Sequence, residues 1–240
     1  LNEYLQPMAQ PTAQDSDSAR GDLTRQRLLE TAVEIFAHSA YDSVRTRMLA
    51  DTAGVNQAAI PYYFGGKEGL YLAVAQRIAE RLGGEISTLT AQAAPLLDEA
   101  AQSSDDAIEL ALRGILADFA RIILTQPEPH ASAAIILREQ QQPTKAFDLL
   151  YRQAMAPLHC TMTALVARLD KLDVDSPEAI LHAHMLLGQA LGFIAARTTL
   201  LRRLGQQQIE PPQIEYVASL LRNSNIATGL HKPPRTEPCE

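Results

Sequence analysis

Thr46-Arg-Met-Leu-Ala-Asp-Thr-Ala-Gly54-Val-Asn-Gln-Ala-Ala-Ile-Pro61-Tyr-Tyr-Phe-Gly-Gly-Lys67 is the stretch whose reading decides the fold. Leu49 and Ala50 set the inward side of a short helix that breaks at Ala53-Gly54-Val55. A second short helix then carries Ile60 and Phe64 inward at i,i+4 spacing. Gly54 can take the positive φ that a tight turn between two steeply crossed helices needs. Asn56 is a good N-cap, because its side chain can accept an orphan backbone N–H. The pair forms a helix-turn-helix whose second helix shows Gln57, Ala58, Pro61, Tyr62 and Tyr63 to the outside. Two adjacent tyrosines on such a face point to contact with phosphates or bases, and double-stranded DNA is the expected partner.

Outward from this motif the chain reads as helix throughout. A first helix is expected from Asp22 to His38, with Leu28, Leu29, Ala32, Val33 and Phe36 as its inward stripe and Tyr41 packed in the loop after it. Lys67 opens a long helix whose core face is Leu70, Val74 and Ile78, with Gly83-Gly84 as a bend or break between head and body. Ser103-Ser-Asp-Asp106 supplies N-cap chemistry for a helix carrying Ile108, Leu112, Ile115, Phe119 and Ile122 on one side. Gln126-Pro-Glu-Pro129 ends it, and a shorter helix follows to Gln141 before Pro143. The next stripe runs from Phe147 through Met155 to Leu169, with a kink expected at Pro157. Ser176 and Pro177 fit the N-cap and N1 positions of a helix that is apolar almost all round from Ile180 to Leu204. Pro211-Pro212 begins a last helix with Ile214, Val217, Ala218 and Leu221 on one face.

The expected fold class is all-α. Its parts are a disordered tail over 1–21, a DNA-binding head over 22–66, a ligand-binding and dimerisation body over 67–228, and a second disordered tail over 229–240. Residues 1–21 have no apolar segment and do not read as a signal peptide. A chain that begins at Leu1 suggests processing, truncation or unusual initiation, with Met8 relevant to the true start. No apolar run approaches the ~20 residues that span a bilayer, so no membrane partner is expected. The two cysteines, Cys160 and Cys239, make no disulfide framework and suit a reducing cytoplasm. Net charge is −7, yet residues 20–81 hold eight basic and seven acidic side chains, a local +1 that leaves −8 for the rest. Phosphate contacts are made by the head alone, and fields are screened within ~10 Å, so an acidic body does not exclude DNA.

The run Thr24-Arg-Gln-Arg-Leu-Leu-Glu-Thr-Ala32 through Phe36, then Ala53-Gly-Val55, then Tyr62-Tyr-Phe-Gly-Gly-Lys67-Glu-Gly-Leu70, resembles the N-terminal domain of TetR-type transcriptional repressors. Arg138-Glu-Gln-Gln-Gln-Pro-Thr144 and Ala156-Pro-Leu-His159 are similar to the ligand domain of the subgroup that includes the CecR-like regulators. The resemblance implies that Thr46 contacts phosphate and that Arg47 reaches a guanine edge, where its planar fork can bond two acceptors. It aligns Gln57, Ala58, Pro61 and Tyr62 with base-facing positions, and Tyr63 and Lys67 with phosphate-facing ones. Tyr63 is equally readable as a partly buried packing residue. Pro61 and Gly66 depart from the family pattern, with a distorted second helix and a weakened helix start at Lys67 as the expected results.

In the body, Phe119, Arg138, Glu139, Tyr151, Met155, His159 and His184 are the candidate ligand-contacting residues, because each lies on a mostly apolar helix. Polar groups there must be paired internally or used to orient a small molecule. The expected cavity lies between the helix around Phe119 and the kinked helix from Tyr151 to His159. Small residues Gly188, Gly192 and Ala196 repeat at i,i+4, so a second chain can approach closely and cover Leu187, Leu191 and Ile194. Ile214, Val217 and Leu221 are expected to complete that homodimer interface as part of a four-helix bundle.

No catalytic, cofactor or metal signature competes with this reading. His182 and His184 point ~200° apart on a helix and cannot chelate one ion together. His159 and Cys160 diverge by ~100°, with no carboxylate to orient a base. The expected function is a repressor released from a palindromic operator by a small apolar or amphipathic effector. The alternatives are an activator or effector-independent regulator with the same head, and a helical enzyme or scaffold that uses the motif for packing.

Overall fold

The computed structural model describes residues 13–98, 103–125 and 129–224, and every regular element among them is helical. The chain forms two compact units, one ending at Val74 and the other beginning at Ala75. The expected tail over 229–240, the first twelve residues and Cys239 lie outside the described residues.

In the first unit, α1 (Ala13–His38), α2 (Thr46–Ala53) and α3 (Ala59–Phe64) pack on one another. The stripe read from the sequence, Leu28, Leu29, Ala32, Val33 and Phe36, is buried together with Val44, Leu49, Ala50 and Ile60. Each Leu, Ile, Val or Phe side chain so removed from water contributes about 1.5–3 kcal/mol. Tyr41 closes the loop after α1, 6.0 Å from the Phe36 ring and 5.0 Å from Tyr71. Helix α4 (Lys67–Ala91) gives its first two turns to this unit, with Leu70, Tyr71 and Val74 buried, so the unit runs past Gly66. Helix α1 starts before the expected Asp22 and runs through Gly21. One glycine costs a helix only about 1 kcal/mol against alanine. A Cβ at Gly21 would stand 3.2 Å from the Tyr63 hydroxyl, so the bare backbone there leaves room for that ring.

In the second unit α6 (Asp105–Thr125) carries the core. Helices α9 (Ala156–Asp170), α10 (Pro177–Ala195) and α12 (Pro211–Asn223) pack around it. Ile108, Leu112, Ile115 and Phe119 are buried as their spacing requires, and Ile122 is partly buried. Helix α5 (Ala94–Leu97) precedes α6, α7 (Pro129–Gln141) follows it, and α8 (Lys145–Leu150) leads to α9. Ser176 caps α10 by accepting from Ala179 N, with Pro177 in the first turn as expected.

Several sequence expectations need correction. Gly83-Gly84 does not break α4, which is continuous to Ala91. Gly83 instead admits a neighbour, since a Cβ there would stand 2.6 Å from the Gln153 carbonyl oxygen. The irregularity assigned to Pro157 falls before it, as a π-helical turn over Tyr151–Met155 joining α8 to α9. Pro157 has no N–H to give the Gln153 carbonyl four residues back, and the turn widens where that bond is missing. The apolar run from Ile180 to Leu204 is two helices, α10 and α11 (Arg197–Leu204), divided at Ala196. It is buried on one side: Ala179, Ala183, Leu186, Leu187 and Ala190 face the core, while Leu181, Met185, Gly188 and Gly192 are exposed. By length and composition α10 could cross a bilayer, a test that core helices of this kind also pass.

Candidate functional site

The outer face of the helix-turn-helix is built by backbone geometry. Gly54 ends α2 at φ 65°, in the left-handed region where only glycine sits without penalty. Asn56 then accepts from Ala58 N at 2.8 Å, capping the turn that starts α3. Pro61 is the third residue of α3, within the first turn, where backbone N–H groups have no helical partner. The expected distortion at Pro61 is therefore absent, and its carbonyl accepts normally from Gly65 N. Gly65 ends α3 at φ 71° and Gly66 follows at φ 127°. Gly69 is confined by contact: a Cβ there would lie 1.7 Å from the Phe64 carbonyl oxygen. Phe64, expected inward, is only half-buried, and its ring carries the Arg25 guanidinium 5.5 Å from the centroid.

The predicted DNA-contacting residues share one surface. Gln57 Nε2 donates to Thr46 Oγ1 at 3.1 Å, joining the starts of α2 and α3. Thr46, Gln57, Ala58, Pro61 and Gly66 line one shallow depression there. A second depression holds Arg27, Asn56, Ala58, Tyr62 and Tyr63. Tyr62 is 79% exposed, and Tyr63 meets it edge-on at 4.8 Å while half-buried itself. Arg47 extends into solvent with Asp51 3.6 Å away, a pair too exposed to hold it. Lys67 departs from its assigned place. Its ammonium donates to the carbonyls of Tyr41 at 3.0 Å and Val44 at 3.1 Å, and lies 4.2 Å from the Tyr41 ring centroid. Lys67 thus ties α4 to the loop before α2, a role that the resemblance, which aligned it with a phosphate-facing position, did not suggest. The Tyr41 hydroxyl pKa is raised by burial and then by the charges of Glu68 and Asp42.

The residues nominated for ligand contact do not converge. Phe119 is buried in the core on α6. Glu139 is 1% exposed and accepts from Thr144 N and Oγ1, both at 2.9 Å, closing the turn before α8. Tyr151 is exposed and stacked on Phe147 at 5.9 Å. Arg138 is half-buried near the end of α7. His159 and His184 meet, Nε2 to Nδ1 at 3.4 Å, and His159 is harder to protonate than an ordinary histidine because of burial and then the neighbouring His184. His182 points elsewhere, as its spacing required, with Nδ1 2.8 Å from Asp170 Oδ2.

The cavity keeps α6 of the two expected walls and replaces the Tyr151–His159 helix with others. Arg81 and Leu82 of α4, Ile123 of α6, α7 from Ser132 to Gln140, and His184, Leu191, Ile194 and Ala195 of α10 enclose about 300 Å³. Of the nominated set only His184 lines it; Met155 stands beside it, its sulfur accepting from Gln140 Nε2 at 3.4 Å. Leu191 and Ile194, assigned to a partner chain, also line this cavity. Ile214, Val217 and Leu221 are buried against the chain's own core, because α12 turns that face toward α6. Tyr216 and Leu220 are the apolar side chains that α12 exposes.

A three-helix head with this exposed face, in a chain whose second unit is also all-helical, defines a DNA-binding regulator of the helix-turn-helix class. Residues 28–74 match the model for bacterial regulatory proteins of the tetR family. The chain belongs to the TetR family of transcriptional regulators. Residues 108–229 match the C-terminal domain of the HTH-type transcriptional dual regulator CecR. The chain is 33% identical to that regulator from Shigella flexneri over 198 residues, covering 82% of this chain and 87% of the other. The HTH-type transcriptional repressor AcnR of Corynebacterium glutamicum is 38% identical over 64 residues, 27% of this chain and 34% of that one. Among solved structures, AmtR of Mycobacterium smegmatis shares the fold with a TM-score of 0.54 at 20% identity, covering 90% of this chain and 87% of its own. The two relatives from Shigella flexneri and Corynebacterium glutamicum are both regulators of transcription.

Proposed function

We propose that the protein binds a palindromic DNA operator as a homodimer and represses transcription until a small apolar or amphipathic effector enters its body. The observation that carries the reading is Tyr62, 79% exposed in a depression that shares Ala58 with the one where Gln57 donates to Thr46. An exposed aromatic next to aligned polar groups suits a base edge and its flanking phosphates. Thr46, Arg47, Gln57, Ala58, Pro61, Tyr62 and Tyr63 form the contact face, and Lys67 supports it from behind. The site of action is the cytoplasm, where the DNA is, with no membrane partner.

One head reads few base pairs, so specificity calls for two, on half-sites about 34–36 Å apart. The dimer surface is the outer side of α10, Leu181, Met185, Gly188 and Gly192, together with Tyr216 and Leu220 of α12. Effector binding in the cavity of about 300 Å³ favours a conformation with weaker DNA affinity, by the coupling free energy between the two sites. Selection of bound fragments from the source genome, followed by binding assays on the recovered sequence, tests the proposal. Tyr62→Ala should weaken the specific site by about 1–3 kcal/mol and leave non-specific affinity unchanged. Equal loss on all sequences, or none, would count against this face. The dual-regulator name of the Shigella flexneri relative favours a second reading, activation at some promoters. Transcription assays on the recovered promoters separate the two.

A further inference from the structure

The cavity of the second unit has a chemical polarity that narrows its ligand class, an inference that rests on the effector reading above. Among the described residues its lining includes one guanidinium, Arg81, and no aspartate or glutamate. Arg81 Nη2 donates to the buried hydroxyl of Ser132 at 2.7 Å. Arg81 Nε is itself buried and has no hydrogen-bond partner among the described residues. A buried donor on a fixed positive charge is costly to leave unmatched. Much of the rest of the lining, including Leu82, Ile123, Ile136 and Ile194, is aliphatic. The remaining polar edge is Gln140 and His184, the latter in contact with His159.

We propose that this cavity takes a small amphipathic acid, with its carboxylate on the Arg81 edge beside Ser132 and its apolar body against the Leu and Ile walls. The guanidinium charge and its outer N–H groups form charge-assisted hydrogen bonds with a carboxylate, stronger than those to a neutral head group and impossible with a cationic one. A volume of about 300 Å³ stands at the small end of ligand pockets and excludes large multi-ring compounds.

Calorimetric titration of the full chain with three isosteric probes tests the proposal: 4-phenylbutyrate, 4-phenylbutanol and 4-phenylbutylamine. The acid should bind at least about tenfold more tightly than the amine, with the alcohol between them. Arg81→Gln should lose about tenfold or more for the acid and little for the alcohol. Amine binding as tight as acid binding overturns the proposal, as does an Arg81→Gln protein that keeps full acid affinity. The wild-type ratio alone decides if that variant does not fold. Binding of the alcohol and amine without the acid overturns the acid preference and leaves an effector cavity standing. Failure of all three to bind overturns the cavity reading itself.

Discussion

Lys67→Met separates a structural lysine from a phosphate-binding one. The substitution keeps the stem length and helix propensity but removes the ammonium that bridges Tyr41 O at 3.0 Å and Val44 O at 3.1 Å. Hydrogen bonds from a charged donor contribute about 1.5–3 kcal/mol each, and partial exposure of this pair brings the two together to about 2–3 kcal/mol. The contact with the Tyr41 ring at 4.2 Å adds up to about 1 kcal/mol. Removing a cation from the first turn of α4 relieves an unfavourable dipole interaction of about 0.3–1 kcal/mol, which opposes the loss. The net expectation is about 2 kcal/mol of local destabilisation, read as roughly 30-fold faster amide exchange in peptides spanning Tyr41 to Val44. Hydrogen-exchange mass spectrometry supplies that readout, and operator binding at several salt concentrations supplies the contrast. A lysine that served phosphate would leave exchange unchanged and lower the salt slope by about 0.9. That pair of results would refute the structural role.

Gly69→Ala places a methyl where the Phe64 carbonyl oxygen lies 1.7 Å away, so the head should lose several kcal/mol and its operator binding; native stability by circular dichroism would overturn the close contact. Gly192→Arg tests the dimer cleanly, because a Cβ there meets nothing within 4 Å in its own chain. The variant should fold as wild type and scatter light as a monomer, and an intact dimer would remove α10 from the interface. The lowered pKa of His159, from burial and then from His184, makes the unfolded chain the better proton acceptor. Its stability contribution is present above the ordinary histidine range and lost as pH falls below it, so thermal stability should drop between about pH 7.5 and 5.5. His159→Gln should flatten that slope, and an unchanged slope would assign the pH dependence elsewhere.

The head was legible because its rules are local. Gly54 and Asn56 act within four residues of each other, and the turn they make depends on nothing distant. The same holds for Ser176 and Pro177 at the start of α10. Where a residue's role depends on a partner far along the chain, sequence spacing misassigned it. Lys67 is held by carbonyls more than twenty residues earlier. Gly83 was read as a break, yet its missing side chain is occupied by the backbone of Gln153. Ile214, Val217 and Leu221 form one apolar face in either reading, and only the position of α6 shows that the chain covers this face itself.

The cavity shows why ligand residues were harder to find than DNA-contacting ones. Its walls come from α4, α6, α7 and α10, so the lining residues are spread from Arg81 to Ala195 along the chain. Polar residues on apolar helices were the only sequence signal, and that signal cannot distinguish an internal cap from a binding group. Glu139 met the criterion and closes a turn with both of its Thr144 contacts. Arg81 failed the criterion, because it sits among charged neighbours on an amphipathic helix and reads as solvated. What sets Arg81 apart is an unmatched buried Nε beside aliphatic walls, a property of packing between helices. A guanidinium on the wall of a mostly aliphatic cavity says more about a ligand than a helix pattern does, because burial next to apolar walls favours an opposite charge beside it.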